Sequence, residues 1–322
     1  MLLAGVMAFV GAIGASRPVG FEQVLVPDPG ASPLRAAIWY PTHAHPWPSF
    51  LGLDVQNVAK DARVVGHDLP LVVISHGSNG DASSHLDTAL ALARAGFVVV
   101  APVHTGDNSA DPSSAGGPKW LIDRARHIPV TVDFMLKRWS GHDQIDPGRI
   151  GIFGFSSGGF TGLTAIGGRP DLKLIATHCT RFPELACRLW KPGSALPPGP
   201  WSFARDPRIK AAVIAAPGFG FTFAPDGLSE ITAPVQLWSG EADINVPYAT
   251  NTALVRKALG AKVEYHSVPG AGHFAFLTPC GWIGPAVLCR DAKGFDRKAF
   301  HRRLNADVVS FFQAKLGRAS PP

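Results

Sequence analysis

The sequence predicts an α/β fold with a mostly parallel central sheet flanked by helices. Two observations carry this expectation. Strand-like apolar runs alternate with helical segments along most of the 322 residues. Three of those runs also end in loops that carry a serine, a carboxylate and a histidine, and in open α/β sheets reactive groups gather at the carboxyl ends of strands. A hydrophobic content of 46% allows a sizeable core. No internal repeat or linker divides the chain, so residues 16–322 read as one domain.

The elements follow in order. Residues 20–26 and 35–40 open the sheet. Residues 71–75 and 97–103 are near-continuous apolar runs, as expected for strands buried on both faces. Between them, the Ala/Leu-rich stretch 85–95 reads as a helix ending at Gly96. Residues 128–139 read as the helix before a strand at 149–153, and the small-residue stretch 157–165 begins the next helix. A proline-rich insertion at 177–205 separates that helix from a strand at 210–216. Strands at 234–240 and 261–268 follow, and 306–316 forms a terminal helix with Val308, Val309, Phe311, Phe312 and Leu316 in its apolar pattern.

The stretch Gly154-Phe155-Ser156-Ser157-Gly158 lies between a strand and a helix. That is the context in which G-x-S-x-G forms a nucleophile elbow. Positions two before and two after the serine must be small, because their side chains would collide across the turn. Gly154 and Gly158 satisfy this for Ser156. For Ser157 the corresponding position would be Phe155, which excludes it. The competing reading is a glycine-rich turn with an idle serine. A serine hydroxyl is a weak nucleophile and needs a histidine base held by a carboxylate. Asp243, in Glu241-Ala242-Asp243 after the strand at 234–240, is the expected acid, with Glu241 its competitor. His273, in the glycine-rich loop after the strand at 261–268, is the expected base. Of the other histidines, His266 lies within its strand and His301 in a charged stretch read as an exposed helix face.

Acyl transfer also needs donors for the developing oxyanion. The N–H of Ser157, next to the nucleophile, is one candidate. The loop His76-Gly77-Ser78-Asn79-Gly80 offers the other, assigned to Ser78, while His76 is read as hydrogen-bonding within the loop. The loop at 105–117, rich in Ser, Gly and Asp, reads as a mobile rim. Its Gly116-Gly117 lacks the surrounding pattern of a phosphate loop.

These motifs, together with Val72-Val73-Ile74-Ser75-His76-Gly77-Ser78, Gly270-Ala271-Gly272-His273-Phe274 and the stretch from Gly294 to His301, resemble the α/β-hydrolase superfamily. More narrowly they are similar to bacterial predicted dienelactone hydrolases and platelet-activating-factor acetylhydrolases. The resemblance covers nearly all of the chain after about the first twenty residues, and it implies a cofactor-free serine hydrolase of esters. Dienelactone hydrolases proper use a cysteine nucleophile, and this elbow carries Ser156, which argues against a dienelactone substrate.

Residues 1–15 are apolar and uncharged, too short for a membrane span of about 20 residues. They suit a signal peptide, although no Lys or Arg precedes the apolar run. Four cysteines stand in two locally spaced pairs without C-x-x-C spacing, which argues against zinc. Disulfides Cys179–Cys187 and Cys280–Cys289 are expected, each closing a short loop worth about 2–3 kcal/mol in the chain-entropy model. Such bridges point to the periplasm or outside the cell. The net charge of +6 is not interleaved with aromatics, so no nucleic-acid partner is expected. No cofactor and no metal is expected. The insertion carries Phe182, Trp190, Trp201 and Phe203, and Phe219, Phe221 and Phe223 follow the next strand. Phe219, Phe221 and Trp190 are the candidate pocket walls for a small-molecule or lipid-like ester, with ordinary core packing as the competing reading. An amidase or peptidase using the same residues and a non-catalytic binding protein are the alternatives. Oligomeric state has no signal in the sequence.

Overall fold

Successive side chains of a strand leave opposite faces of the backbone, and in this chain both sets are apolar. Leu71 and Val73 join one core with Ile150 and Ile152, while Val72 and Ile74 join another with Phe153 and Phe155. A sheet with two apolar faces must be covered on both. The computed structural model describes residues 17–191, 203, 205–223, 226–281 and 284–317. The expected signal peptide at 1–15 and Trp201 lie outside the described residues.

Strands β1 (Val19–Val26), β2 (Leu34–Pro41), β3 (Trp47–Leu51), β4 (Asp54–Lys60), β5 (Leu69–Ser75), β6 (Val98–Pro102), β7 (Ile145–Phe155), β8 (Ile209–Ala215), β9 (Val235–Gly240) and β10 (Val263–Val268) form one ten-stranded sheet. Their order is β10-β9-β8-β7-β5-β6-β2-β1-β4-β3. From β10 to β6 every neighbour pair is parallel. Beyond β6 the pattern changes. β2 is antiparallel to both β6 and β1, β4 is parallel to β1, and β3 is antiparallel to β4. The sheet is therefore mixed, which corrects the expectation of a mostly parallel one. The cause is local. Short turns join β1 to β2 and β3 to β4 and force antiparallel pairing, whereas parallel neighbours need long crossovers.

Helices α1 (Leu86–Arg94) and α8 (Arg297–Leu316) cover one face, and α2 (Pro118–Lys137), α3 (Ser157–Ala165) and α6 (Thr252–Leu259) the other. Short helices α4 (Leu174–Cys179) and α5 (Leu185–Leu189) lie in the insertion, and α7 (Ala286–Cys289) follows the His273 loop. Helix α2 starts ten residues before the expected 128, because Pro118 occupies the first turn, where a missing N–H is harmless, and the helix continues through Pro129. Helix α8 starts at the N-cap Asp296, whose carboxylate accepts from the Ala299 N–H at 2.9 Å. Its buried stripe of Phe300, Leu304, Val308, Phe311 and Phe312 recurs at helical spacing and includes His301. His301 is 2% exposed, which corrects its reading as part of an exposed face. Among the described residues no helix is long and apolar enough to cross a membrane.

Candidate active site

The carboxyl ends of β5, β7, β9 and β10 deliver the site. Ser156 follows β7 with φ 55° and ψ −120°, a backbone that L-residues rarely adopt. The turn is held by the Ser156 N–H donating to Ala215 O at 3.0 Å, and by Ser156 O accepting from Gly159 and Gly218 N–H at 2.8 and 2.9 Å. The glycines are required by contact. A Cβ on Gly154 would lie 2.1 Å from Gly158 O, and one on Gly158 would lie 1.9 Å from Ser75 O. Backbone atoms cannot withdraw from such contacts without moving α3 away from β5.

His273 Nε2 lies 2.9 Å from Ser156 Oγ, and Nδ1 lies 2.7 Å from Asp243 Oδ2. An ionised carboxylate can only accept, so Nδ1 carries the proton and Nε2 is free to accept from the serine hydroxyl. The other Asp243 oxygen accepts from the Asn245 and Val246 N–H groups at 2.9 and 2.8 Å, which fixes the carboxylate plane. Glu241 is exposed and accepts from Ser267 Oγ instead. The Phe155 ring packs against the His273 imidazole at 4.8 Å between centroids. His301 reaches from α8 to brace the same loop. Its Nε2 meets Ala275 O at 2.8 Å while Nδ1 meets Asp87 Oδ2 at 2.7 Å.

The loop after β5 lies against Ser156. A Cβ on Gly77 would lie 3.3 Å from Ser156 Cβ, and Ser78 Oγ donates to Ser157 Oγ at 3.1 Å. Neither the Ser78 nor the Ser157 N–H has a hydrogen-bond partner among the described residues. His76 bonds within its surroundings. Its Nδ1 donates to Gly77 O at 2.7 Å, and Nε2 accepts from the His104 N–H at 3.1 Å. Complete burial, with the Arg124 charge nearby, pushes its pKa down to about 4.

A buried ion pair lies behind this loop. The Arg124 guanidinium donates to Asp107 Oδ2 at 2.6 Å and also to His76 O. Asp107, 1% exposed, accepts in addition from Trp120 Nε1 and from the Asn79 N–H at 2.9 Å. The pair thus grips the loop at both His76 and Asn79. Asp107 belongs to the stretch 105–117 expected to be a mobile rim, and its burial there corrects that view for Asp107 and Asn108. The signal existed in α2. Arg124 falls on the helical stripe of Trp120, Leu121, Ala125, Ile128 and Val132, where a cation needs a buried partner.

Of the aromatic wall candidates, Phe219 directly follows Gly218, whose N–H donates to Ser156 O at 2.9 Å. Phe219 and Phe221 are buried in the core, with Phe219 edge-on to Trp120 and Phe221 stacked on His178. Trp190 is partly buried against the same cluster. Both expected disulfides are present, Cys179–Cys187 and Cys280–Cys289. The first belongs to the insertion, which reaches the acid loop through Leu185 N–H donating to Asn245 O at 2.9 Å.

No family model matches this sequence, and no curated protein matches it. Among solved structures, the chain is similar to a ferulic acid esterase from Streptomyces cinnamoneus. The TM-score is 0.67 at 20% identity, with 97% of this chain and 94% of that one covered. The two share a fold over essentially their whole lengths.

Proposed function

We propose that this protein is a serine hydrolase that cleaves carboxylic esters through an acyl-enzyme. The observation that carries the reading is the continuous contact from Ser156 Oγ through His273 to Asp243, at 2.9 and 2.7 Å, mounted on a strained elbow. In this reading His273 takes the Ser156 proton as Oγ attacks the ester carbonyl. The Ser78 and Ser157 N–H groups hold the oxyanion. His273 then gives its proton to the leaving alcohol oxygen. Water, deprotonated by His273, attacks the acyl carbonyl, and collapse returns the proton to Ser156 and releases the acid. Asp243 holds the imidazole tautomer and stabilises the imidazolium. The esterase name of the structural neighbour supports ester hydrolysis over other uses of this fold.

Residues 16–322 would form the catalytic domain, with 177–205 as a cap-like insertion and Phe219, Phe221 and Trp190 as walls of its acyl side. The substrate class is a small-molecule or lipid-like ester, with no cofactor. The two disulfides support a periplasmic or secreted location, with residues 1–15 as the signal.

Labelling with a fluorophosphonate, mapped by peptide mass, tests the reading. The expected result is one label at Ser156, abolished in Ser156→Ala and reduced in His273→Ala. Well-folded protein that takes no label would refute it. Faster turnover of a matched amide than of its ester would replace the esterase reading with an amidase.

A further inference from the structure

A cavity among the described residues is lined by His273 itself. It has a volume of about 590 Å³ and lies between the acid loop and α7. That is within the usual range of about 300–1,000 Å³ for small-molecule sites. Ile244 and Phe274 face it from one side, and Ala286 and Val287 from the other. Ile244 is 82% exposed and Val287 70% exposed, so both loops carry a large aliphatic side chain at an open lip.

The bases of both loops are pinned. Helix α7 has four residues and cannot hold its shape alone. Cys289 is tied to Cys280, and the buried Arg297 donates to Leu288 O at 2.8 Å and to Asp291 Oδ1 at 2.8 Å. On the facing side, Asn245 O accepts from the Leu185 N–H, and the Asp243 carboxylate holds the Asn245 N–H. Helix α7 also divides two cavities. Ala286 and Val287 line the one beside His273, while Pro285 and Leu288 line a second of about 580 Å³ that reaches Asn79 and Gly80 of the oxyanion loop.

We propose that the cavity beside His273 is the leaving-group subsite, and that it takes an apolar alcohol of aryl or branched-alkyl size. The inference rests on the esterase reading, and the chemistry fixes the side. In the tetrahedral intermediate the oxyanion points at the Ser78 and Ser157 N–H groups. The leaving oxygen must then lie beside His273 Nε2, since only there can it receive the proton as the C–O bond breaks. Whatever that oxygen carries extends past His273 into the cavity that His273 lines. Ile244 and Val287 meet it with hydrocarbon on both sides; Arg290 and the Asp291 carboxylate, which accepts from Arg297, also line the cavity.

The test uses Ile244→Trp and Val287→Trp in the full chain, with Leu288→Trp facing the other cavity as the control. Both test positions are exposed, so each variant is expected to keep the wild-type circular dichroism and melting transition. The readout is kcat/KM for methyl, cyclohexyl and benzyl acetate, and for methyl acetate, butanoate and octanoate. A lost fit of a few carbon atoms corresponds to about tenfold or more in kcat/KM. The two test variants should lower benzyl and cyclohexyl acetate at least that much relative to methyl acetate. Their acyl-length profile should stay within about twofold of wild type, and Leu288→Trp should leave the alcohol preference in place. An unchanged alcohol preference, or a changed acyl-length profile in its place, overturns the assignment while Ser156 remains labelled and active. Absence of both hydrolysis and Ser156 labelling in the wild type removes the esterase reading, and the subsite falls with it.

Discussion

Replacing Asp107 by Asn keeps the shape of the side chain and removes one charge. Its carbonyl oxygen still accepts from Trp120 Nε1, while its NH2, a donor, takes the place of the oxygen that accepted from the Asn79 N–H, a loss common to the single and double variants below. The Arg124 guanidinium is left fully buried without an anion, its only salt bridge among the described residues being to Asp107. Burial already holds the Arg124 pKa below its usual value, with the Asp107 charge opposing that effect. Removing one partner of a buried pair costs about 3–5 kcal/mol, a large share of a typical stability of about 5–15 kcal/mol. Arg124→Met in the Asp107→Asn background removes the stranded cation; His76 O loses its guanidinium donor, a loss of about 1–3 kcal/mol, and the longer contacts to Thr161 Oγ1 and Ser75 Oγ at 3.3 and 3.4 Å go with it. The double variant is therefore expected to be more stable than Asp107→Asn alone. Urea unfolding at pH 7.5, followed by tryptophan fluorescence, measures both. Since the pair also grips the loop proposed to supply an oxyanion donor, kcat should fall more than KM rises in Asp107→Asn. A single variant within about 1 kcal/mol of wild type, or a double variant less stable than the single, would refute this account of the pair.

Four further outcomes are expected. His76, His85 and His127 are buried and neutral, with pKa values pushed down to about 4, 3 and 3 chiefly by desolvation. The unfolded chain takes up protons below about pH 6.5 and the folded one does not, so stability falls as pH drops from 6.5 toward those values. Each histidine then costs about 2 kcal/mol by pH 5, and a melting temperature unchanged between pH 7 and pH 5 would contradict this. Gly158→Ala should give insoluble or unlabelled protein, because its methyl would sit 1.9 Å from Ser75 O; wild-type labelling would show that the elbow tolerates it. Asp243→Asn should lower kcat by about 10⁴-fold, whereas Glu241→Gln should change it less than about twofold, and equal losses would mean that the acid has been misassigned. Alkylation of the intact protein should modify no thiol until reductant is added and four afterwards; modification without reductant counts against the bridges.

The parts of the site that were legible in the sequence depend on short stretches of chain. The spacing of Gly154, Ser156 and Gly158 is imposed by one turn, so five residues carry it. Asp243 and His273 each follow a strand by a few residues, and strand order then brings them to one edge. The cysteine partners lie eight and nine residues apart and meet within one loop. What was not legible depends on distant partners. Asp107 reads as a loop residue, and Arg124 has no visible partner, until β5, α2 and the loop after β6 are assembled around them. His301 looked exposed because Arg302 and Arg303 follow it, yet the helical phase turns it inward to Asp87 and Ala275. The β3–β4 hairpin escaped notice because residue type does not follow its inward/outward alternation: Trp47, Phe50 and Val55 face out while Ser49 and Gln56 are buried. Phe219 and Phe221 suggested a pocket by type alone, and nothing in their spacing says whether such rings face a ligand or the core.

The attachment of α8 to the His273 loop also bears on when the site comes into existence. Ser156 can enter its turn once β8 supplies Ala215 O, but the loop bearing the base is steadied by His301, and the wall beside it by Arg297, both on α8. A nascent chain emerging in order from the ribosome would carry Ser156 through more than a hundred residues of synthesis before Asp243 and His273 are held in place. For the hydrolase proposed above, activity would thus switch on with completion of the polypeptide, and the machinery that makes it would meet an unarmed precursor.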